Sequence, residues 1–340
     1  MMEKQAFRFH NSFTDFYFNG SWTGLKDIAD PDNTVYITDE TVHALHTRKF
    51  GRKKVIVVKA GEKFKNQQTV NDIVRQLVEL KADRTTTLVG VGGGVITDIT
   101  GYVGAIYMRG LKVGFVPTTI LGLVDASIGG KNGVDLGLYK NMLGTIRQPD
   151  FILHDYSLLS TLPQHQWEDG FAEVIKHACI KDAALFRELQ QTDIVAFRKN
   201  REQAAALIAR NARIKIKVVQ QDEFEQGDRK LLNFGHTIGH AIENLYKLSH
   251  GQAVALGMVY AARLSEQLTG FRQVGEIRTI LEQYGLPVQR KVNWDKAFDI
   301  LLKDKKKQGN SLSFILLEKI GRAVIEPVGL TELRKLVGSL

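Results

Sequence analysis

The spacing of hydrophobic and polar positions changes character near residue 163. Before it, short apolar runs alternate with helical periods. Residues 34–38 (TVYIT) form a β-rich run, followed by Asp39-Glu40 and a helical pattern to about Arg48. Residues 54–58 read as a buried strand. From Gln67 to Asp83, Val70, Ile73, Val74, Leu77, Val78 and Leu80 recur at helix spacing. Residues 86–91 form a third apolar run, which enters Gly92-Gly93-Gly94 and an apolar helix to about Met108. Residues 112–116 form a fourth, stopped by Pro117. Strands alternating with helices predict an α/β domain over residues 1–162 with a largely parallel sheet, and the glycine triplet at the third strand–helix junction suits a glycine-rich nucleotide loop.

Beyond that point the period is helical over 164–180, 182–191, 200–220, 229–247, 250–269 and 273–284. Only 313–317 and 322–325 read as strands, a late hairpin. Residues 163–340 are therefore expected to form a mainly α-helical domain. No internal repeat, low-complexity tract or disordered linker interrupts the pattern.

Composition narrows the class. A chain of 340 residues, 44% hydrophobic and 24% charged, has room for two cores. The single cysteine, Cys179, excludes an internal disulfide and sits in an apolar helical stretch, where it reads as a core filler. The N-terminal residues lack an apolar signal region, and no run of about 18 apolar residues occurs. A cytoplasmic protein with no membrane partner is expected. The formal charge of +9 invites a nucleic-acid reading. Much of the excess lies in two short runs, 48–54 and 303–307, without aromatic stacking residues. A solvated face is the default for the first run, and a small anionic substrate explains basic residues near a site equally well, so such a substrate and no nucleic acid is the expected partner.

Candidate chemistry concentrates at Lys230-Leu-Leu-Asn-Phe-Gly-His-Thr-Ile-Gly-His-Ala-Ile-Glu243 and at His250-Gly251. On a helix, His236 and His240 leave one face. That suits a divalent metal, or one metal ligand beside one substrate contact. Zinc proteases share the spacing, but Thr237 stands where their general-base glutamate would be. A helix with two histidines on its polar face has the same spacing. His250, starting a long apolar helix, favours the metal, because it can close the same site across a turn.

Further signals lie on either side. Gly92-Gly93-Gly94 falls where a strand meets a helix, where free amides donate to phosphate, although tight turns use such triplets too. It is not the Gly-x-Gly-x-x-Gly of a Rossmann unit. Thr118 and Thr119 follow the fourth strand, as helix caps or ligand contacts. The loop 125–132 and Leu138-Tyr-Lys-Asn141 place Lys131 and Lys140 outside any helix pattern. In Ala172-Glu-Val-Ile-Lys-His177, Glu173, Lys176 and His177 share a helical face. A carboxylate with apolar neighbours needs a metal or the lysine as partner. With His236 and His250, Glu173 makes a three-ligand set with an open position, the form of a catalytic site. Lys215, Glu225 and Arg229 precede the histidines, and the two cations suit a carboxylate or phosphate.

Taken in order, these motifs resemble the 3-dehydroquinate synthase family of sugar-phosphate cyclases. They are Gly61-Glu62-x-x-Lys65, Gly92-Gly-Gly-Val-Ile-x-Asp98, Met108-Arg-Gly110, Pro117-Thr-Thr119, Asp125-x-Ser-Ile-Gly-Gly-Lys131, Ala172-Glu-Val-Ile-Lys176, Leu232-Asn-Phe-Gly-His-Thr-Ile-Gly-His240, His250-Gly and Asp304-Lys-Lys306. The resemblance runs from about Asp39 to Gly321.

It implies a bound NAD and one divalent metal, zinc or cobalt, held by Glu173, His236 and His250. It places NAD against Asp39, Glu62, Lys65, Gly93, Gly94, Val95, Asp98, Thr118, Thr119, Lys140 and Thr161. It assigns catalysis to Asp125, Lys176, Lys215, Asn233 and His240, and substrate binding to Lys131, Asn141, Arg229, Lys306 and Arg109, the last from the second subunit of a homodimer. The implied reaction converts 3-deoxy-D-arabino-heptulosonate 7-phosphate to 3-dehydroquinate. Transient oxidation, phosphate elimination, re-reduction, ring opening and aldol closure follow one another. Cyclases for an amino analogue or for sedoheptulose 7-phosphate, and a metal-dependent polyol dehydrogenase, are the nearest alternatives. Asn233 and His240 favour the carboxylated substrate over sedoheptulose 7-phosphate. The chain departs from the family at Thr97 and Tyr139, each in place of the usual glycine, and at Asn132-Gly133 in place of Thr-Ala.

Overall fold

The structure is a computed structural model that describes residues 2–137, 139–305 and 311–338. In chain order the first elements are β1 (Glu3–Arg8), β2 (Phe13–Phe18), β3 (Thr34–Asp39), α1 (Glu40–Phe50), β4 (Lys54–Val58), α2 (Gln67–Glu79), β5 (Thr87–Gly92), α3 (Gly94–Ile106), β6 (Lys112–Pro117), β7 (Lys131–Leu136), β8 (Tyr139–Ile146) and β9 (Phe151–Leu153). Then come α4 (Gln164–Lys181), α5 (Ala183–Leu189), α6 (Ile194–Lys199), α7 (Arg201–Gln221), α8 (His236–Tyr246), α9 (His250–Leu268), α10 (Val274–Gln283), α11 (Trp294–Lys305), β10 (Ser311–Lys319), β11 (Arg322–Gly329) and α12 (Leu330–Gly338). Among the described residues, no helix is long and apolar enough to cross a membrane.

Packing divides the chain into two units, Met1–Pro163 with Arg201–Phe224, and Gln164–Asn200 with Glu225–Leu340. The hydrophobic pattern alone gives a single boundary at 162/163. It misses the return of α7 to the first unit, which packing dictates: Ala212, Ile216 and Val219 of α7 share a core with Phe16, Phe18, Val113 and Phe115.

In the first unit seven strands lie in the order β1-β2-β9-β6-β5-β3-β4. All neighbours are parallel except the β1–β2 pair. Alternation puts Val35 and Ile37 of β3 into a core with Val70, Ile73 and Leu77 of α2. Tyr36, between them, joins Trp22, Val89, Val91 and Leu153 on the other face. Both faces are covered, as a mainly parallel sheet requires. Asp39 and Asn66 cap α1 and α2 through their side chains.

Several elements escape the sequence pattern. The segment 125–141, read as a glycine-rich loop, is a π-helical turn (Gly122–Ala126) followed by the antiparallel pair β7–β8. The strands β1, β2 and β9 and the helices α6, α11 and α12 were not expected. In the second unit the predicted helix 229–247 is two pieces. A 3-10 turn, Asp228–Asn233, ends before Gly235, whose φ of 81° stops one element and starts α8.

The second unit is organised by α4 and α9. Residues Phe171 to Ile180 of α4 are all buried. Helices α8 and α9 cross closely: a Cβ on Gly257 would lie 1.8 Å from the Gly235 carbonyl oxygen, and one on Gly239 would lie 2.9 Å from that of Ala253. Ile238, Ile242, Leu256 and Leu264 pack with Phe298, Leu312, Phe314 and Leu316 beneath that crossing.

Candidate active site

The second unit gathers Glu173, His236 and His250. Glu173 projects from α4 with 0% side-chain exposure. Its Oε1 lies 3.0 Å from His250 Nε2 and 3.4 Å from His236 Nε2. One donor atom from each of the three residues lies within 4.8 Å of the others. The close α8–α9 crossing holds His236 of α8 near His250 of α9, with their rings 5.4 Å apart. His236 Nδ1 lies 3.2 Å from the Phe234 carbonyl oxygen. A carbonyl accepts only, so Nδ1 carries the proton and the Nε2 lone pair is left for a metal. One carboxylate and two imidazoles form a donor set suited to zinc or cobalt.

Lys176, one turn along α4, pairs with Glu173 Oε2. Burial opposes the Glu173 charge, but charged surroundings, Lys176 foremost, hold the carboxyl well below its usual range. The ring of His240 meets that of His236 edge-on at 5.3 Å, and His240 is exposed. Asn233 Nδ2 donates to Glu225 Oε1 at 2.7 Å. Glu225 adopts a φ of 59°, and Arg229 is buried. The contact between Glu225 and Asn233 has no helical spacing to reveal it. Lys306 lies outside the described residues.

The first unit carries the residues expected at a dinucleotide. Asp39 accepts from Val42 N at 2.9 Å, and burial raises its pKa. Glu62 is exposed, at the start of a 3-10 turn that leads to Lys65. Lys65 Nζ lies 2.5 Å from Asp98 Oδ2 and donates to Asn141 Oδ1 at 2.7 Å. Burial opposes the Lys65 charge, but Asp98 and Glu62 outweigh it and raise the pKa. Burial pushes Asp98 up to about 6, with Lys65 pulling against it. Gly93 opens α3 without a side-chain cap, and Gly94 and Val95 form its first turn. Such a turn presents amides to an anion. Thr118 is buried, and Thr119 Oγ1 accepts from Gly122 N at 3.0 Å as a local cap. Thr161 Oγ1 lies 3.1 Å from His46 Nε2.

Lys215 Nζ donates to both Asp125 Oδ1 and the Asp125 carbonyl at 2.7 Å. Lys131 and Lys140 are exposed on β7 and β8. Asn141 takes a φ of 54°, with its amide donating to Asp135 Oδ1 at 2.8 Å. Arg109 is exposed on a left-handed turn, with φ 47° at Met108 and 69° at Arg109. The departures from the family pattern find local explanations. Thr97 Oγ1 donates back to the Gly94 carbonyl at 3.0 Å, so the extra atoms lie along α3. Tyr139 is 63% exposed, so its ring displaces little of the core. Asn132 Nδ2 donates to Gly130 O and Arg147 O at 2.8 and 2.9 Å, against Gly101.

Two family models match the chain: "3-dehydroquinate synthase N-terminal" over residues 55–169 and "3-dehydroquinate synthase C-terminal" over residues 170–307. A 3-dehydroquinate synthase of Campylobacter concisus is 40% identical over 302 residues, 85% of this chain and 86% of that one. A 2-deoxy-scyllo-inosose synthase, solved with carbaglucose-6-phosphate, NAD+ and Co2+, superposes with a TM-score of 0.85 at 25% identity, covering 98% of this chain and 99% of that one. The 2-epi-5-epi-valiolone synthase of Streptomyces hygroscopicus, with NAD+ and Zn2+ bound, has a TM-score of 0.84 at 27% identity, covering 93% and 92%.

Proposed function

The chain belongs to the 3-dehydroquinate synthase family, and we propose that it is a carbon–oxygen lyase converting 3-deoxy-D-arabino-heptulosonate 7-phosphate to 3-dehydroquinate and phosphate, dependent on NAD and one zinc or cobalt ion. The observation that carries this reading is the convergence of Glu173, His236 and His250, beside Lys176, in a chain that both halves of the family model match. When bound, NAD supplies reversible hydride acceptance and the metal supplies Lewis acidity at the substrate hydroxyl.

The chain's own residues bind and orient. Glu173, His236 and His250 hold the metal. The amides of the Gly93–Val95 turn donate to the NAD pyrophosphate, with Asp39, Glu62, Lys65, Asp98, Thr118, Thr119, Lys140 and Thr161 along the rest of the cofactor. Lys176, Arg229, Asn233 and His240 face the substrate's carboxylate and hydroxyls. The Asp125 carboxylate, fixed by Lys215, accepts a hydroxyl hydrogen bond. Lys131, Asn141, Lys306 and the partner subunit's Arg109 hold the phosphate in a homodimer. Held there, the substrate phosphate would itself be able to take the proton lost as it leaves, and elimination would need no separate protein base. Ring opening and aldol closure then need mainly confinement of the flexible intermediate, a positioning task.

The test is product identification. Purified protein with NAD and zinc or cobalt is given the heptulosonate phosphate, its amino analogue or sedoheptulose 7-phosphate, and the products are read by NMR. Dehydroquinate from the first, at the highest kcat/KM of the three, is expected. A higher value with either other substrate keeps the family and removes the proposed substrate.

A further inference from the structure

We infer that Asp169 and Ser249 form a positioning pair for His250, a role that rests on the metal reading of that site. The three donor residues are not held equally. The His250 side chain is 31% exposed, against 13% for His236 and 0% for Glu173. Packing around the ring therefore restrains His250 least. His236 has the Phe234 carbonyl behind it. The backbone on either side of His250 is held as well.

Both neighbours of His250 are tied to one residue of α4. Ser249 Oγ donates to Asp169 Oδ1. On the other side, Gly251 lies against the α4 backbone: a Cβ there would be 2.4 Å from Asp169 Cα and 2.6 Å from its carbonyl oxygen. Asp169 stands four residues before Glu173, one turn away on the same face of α4. The first turn of α9 thus meets α4 at two levels, Asp169 with residues 249 and 251, and Glu173 with His250 Nε2 at 3.0 Å.

The serine hydroxyl has one hydrogen, which goes to Asp169. Its lone pair accepts from Gln252 N at 3.4 Å, while Ser249 N lies 3.3 Å from Gln252 Oε1. The N-cap of α9 therefore closes a capping box and docks to α4 with the same side chain. A carboxylate at this end of α9 is also favoured by the helix dipole. The arrangement sets both the rotation of α9 and its axial position. These are the two freedoms that would otherwise swing His250 Nε2 away from Glu173.

The experiment measures metal binding by the metal-free full chain. Zinc affinity is read by competition with a chromophoric chelator, and ligand geometry by the visible d–d spectrum of bound cobalt. Asp169→Ala and Ser249→Ala are each expected to weaken zinc about tenfold, the lower end for outer-shell partners of a metal ligand. The double variant should be no weaker than the worse single one, because the two act as a unit. Asp169→Asn keeps an acceptor for the serine hydroxyl and should stay within about threefold of wild type. The cobalt spectrum should change in Asp169→Ala and be restored in Asp169→Asn. A lost cap lowers the thermal stability of Ser249→Ala by itself, so affinity and spectrum decide. If Asp169→Ala fails to fold, Ser249→Ala and Asp169→Asn still decide. Wild-type affinity and an unaltered spectrum in the alanine variants would overturn the pair's role while leaving the metal site intact. No zinc uptake by the wild type, or full affinity in His250→Ala, would overturn the site reading and the pair with it.

Discussion

Gly257→Ala sets two opposing effects against each other. Gly257 lies in the middle of α9, where glycine costs about 1 kcal/mol relative to alanine. If α9 were judged alone, alanine would stabilise. The crossing with α8 reverses the sign. The new Cβ would stand 1.8 Å from the Gly235 carbonyl oxygen and 2.8 Å from Gly239 N. Its approach to the oxygen is roughly 1.5 Å short of an ordinary carbon–oxygen contact. Both obstacles are backbone, so no side chain can swing aside, and the helices must separate. Overpacking of this kind costs roughly 3 kcal/mol, and about 2 kcal/mol remains after the propensity gain. For a domain of this size that lowers Tm by roughly 4–8 °C. Separation also moves His236 from His250, because they stand on the two crossing helices, so zinc affinity should fall with stability. The assays are calorimetry of the metal-free protein and chelator competition. A variant that melts higher than wild type and binds zinc equally would refute the reasoning.

Other perturbations test separate parts of the structure. Lys176→Met strips the buried Glu173 carboxylate of its charged neighbour, and the metal-free protein should lose about 3 kcal/mol; saturating zinc should recover much of it, and equal losses with and without zinc would contradict this. His154 is fully buried among Phe16, Phe18 and Tyr156, with no hydrogen-bond partner for either ring nitrogen among the described residues. Burial lowers its pKa from 6.5 to about 3, so only the unfolded chain gains a proton between those values, and the stability His154 allows at neutral pH is lost as pH falls below 6.5. Relative to His154→Leu, the wild type should lose about 2 kcal/mol between pH 7 and pH 5, and parallel pH profiles in urea unfolding would remove His154 as the cause. Lys131→Ala should lower kcat/KM for the sugar phosphate far more than it weakens NAD binding by calorimetry; the opposite pattern would move Lys131 to the cofactor.

Much of the chemistry was legible because it is written locally. The strand–Gly92-Gly93-Gly94–helix junction and the Glu173-x-x-Lys176 turn depend on neighbours in sequence, and the structure forms both. The core strands β3 to β6 were visible as buried apolar runs. Some of the segments that escaped have partners far along the chain, and others pair locally without a readable period. β2 gains its place from β9, more than a hundred residues on, and β1 pairs only with β2. The β7–β8 pair is rich in glycine and exposed residues, so its period says loop although its hydrogen bonds say sheet. Helix α7 reads as one more helix of the second half, and only its packing on Phe16 and Phe115 shows otherwise. The break at Gly235 was hidden because apolar spacing continues across it while the backbone turns left-handed. Glu225 with Asn233, and Asp169 with Ser249, are pairs that no sequence period links.

The central claim is that one chain runs a redox-neutral cyclisation, with NAD returned to its starting state in each turnover. The most direct measurement follows phosphate release and NADH absorbance together, with the heptulosonate phosphate, NAD and zinc or cobalt, before and after chelator. The account predicts chelator-sensitive phosphate release over many turnovers per bound NAD, with no accumulating NADH. NADH rising in step with substrate loss, without phosphate release, would contradict it and make the protein a simple dehydrogenase.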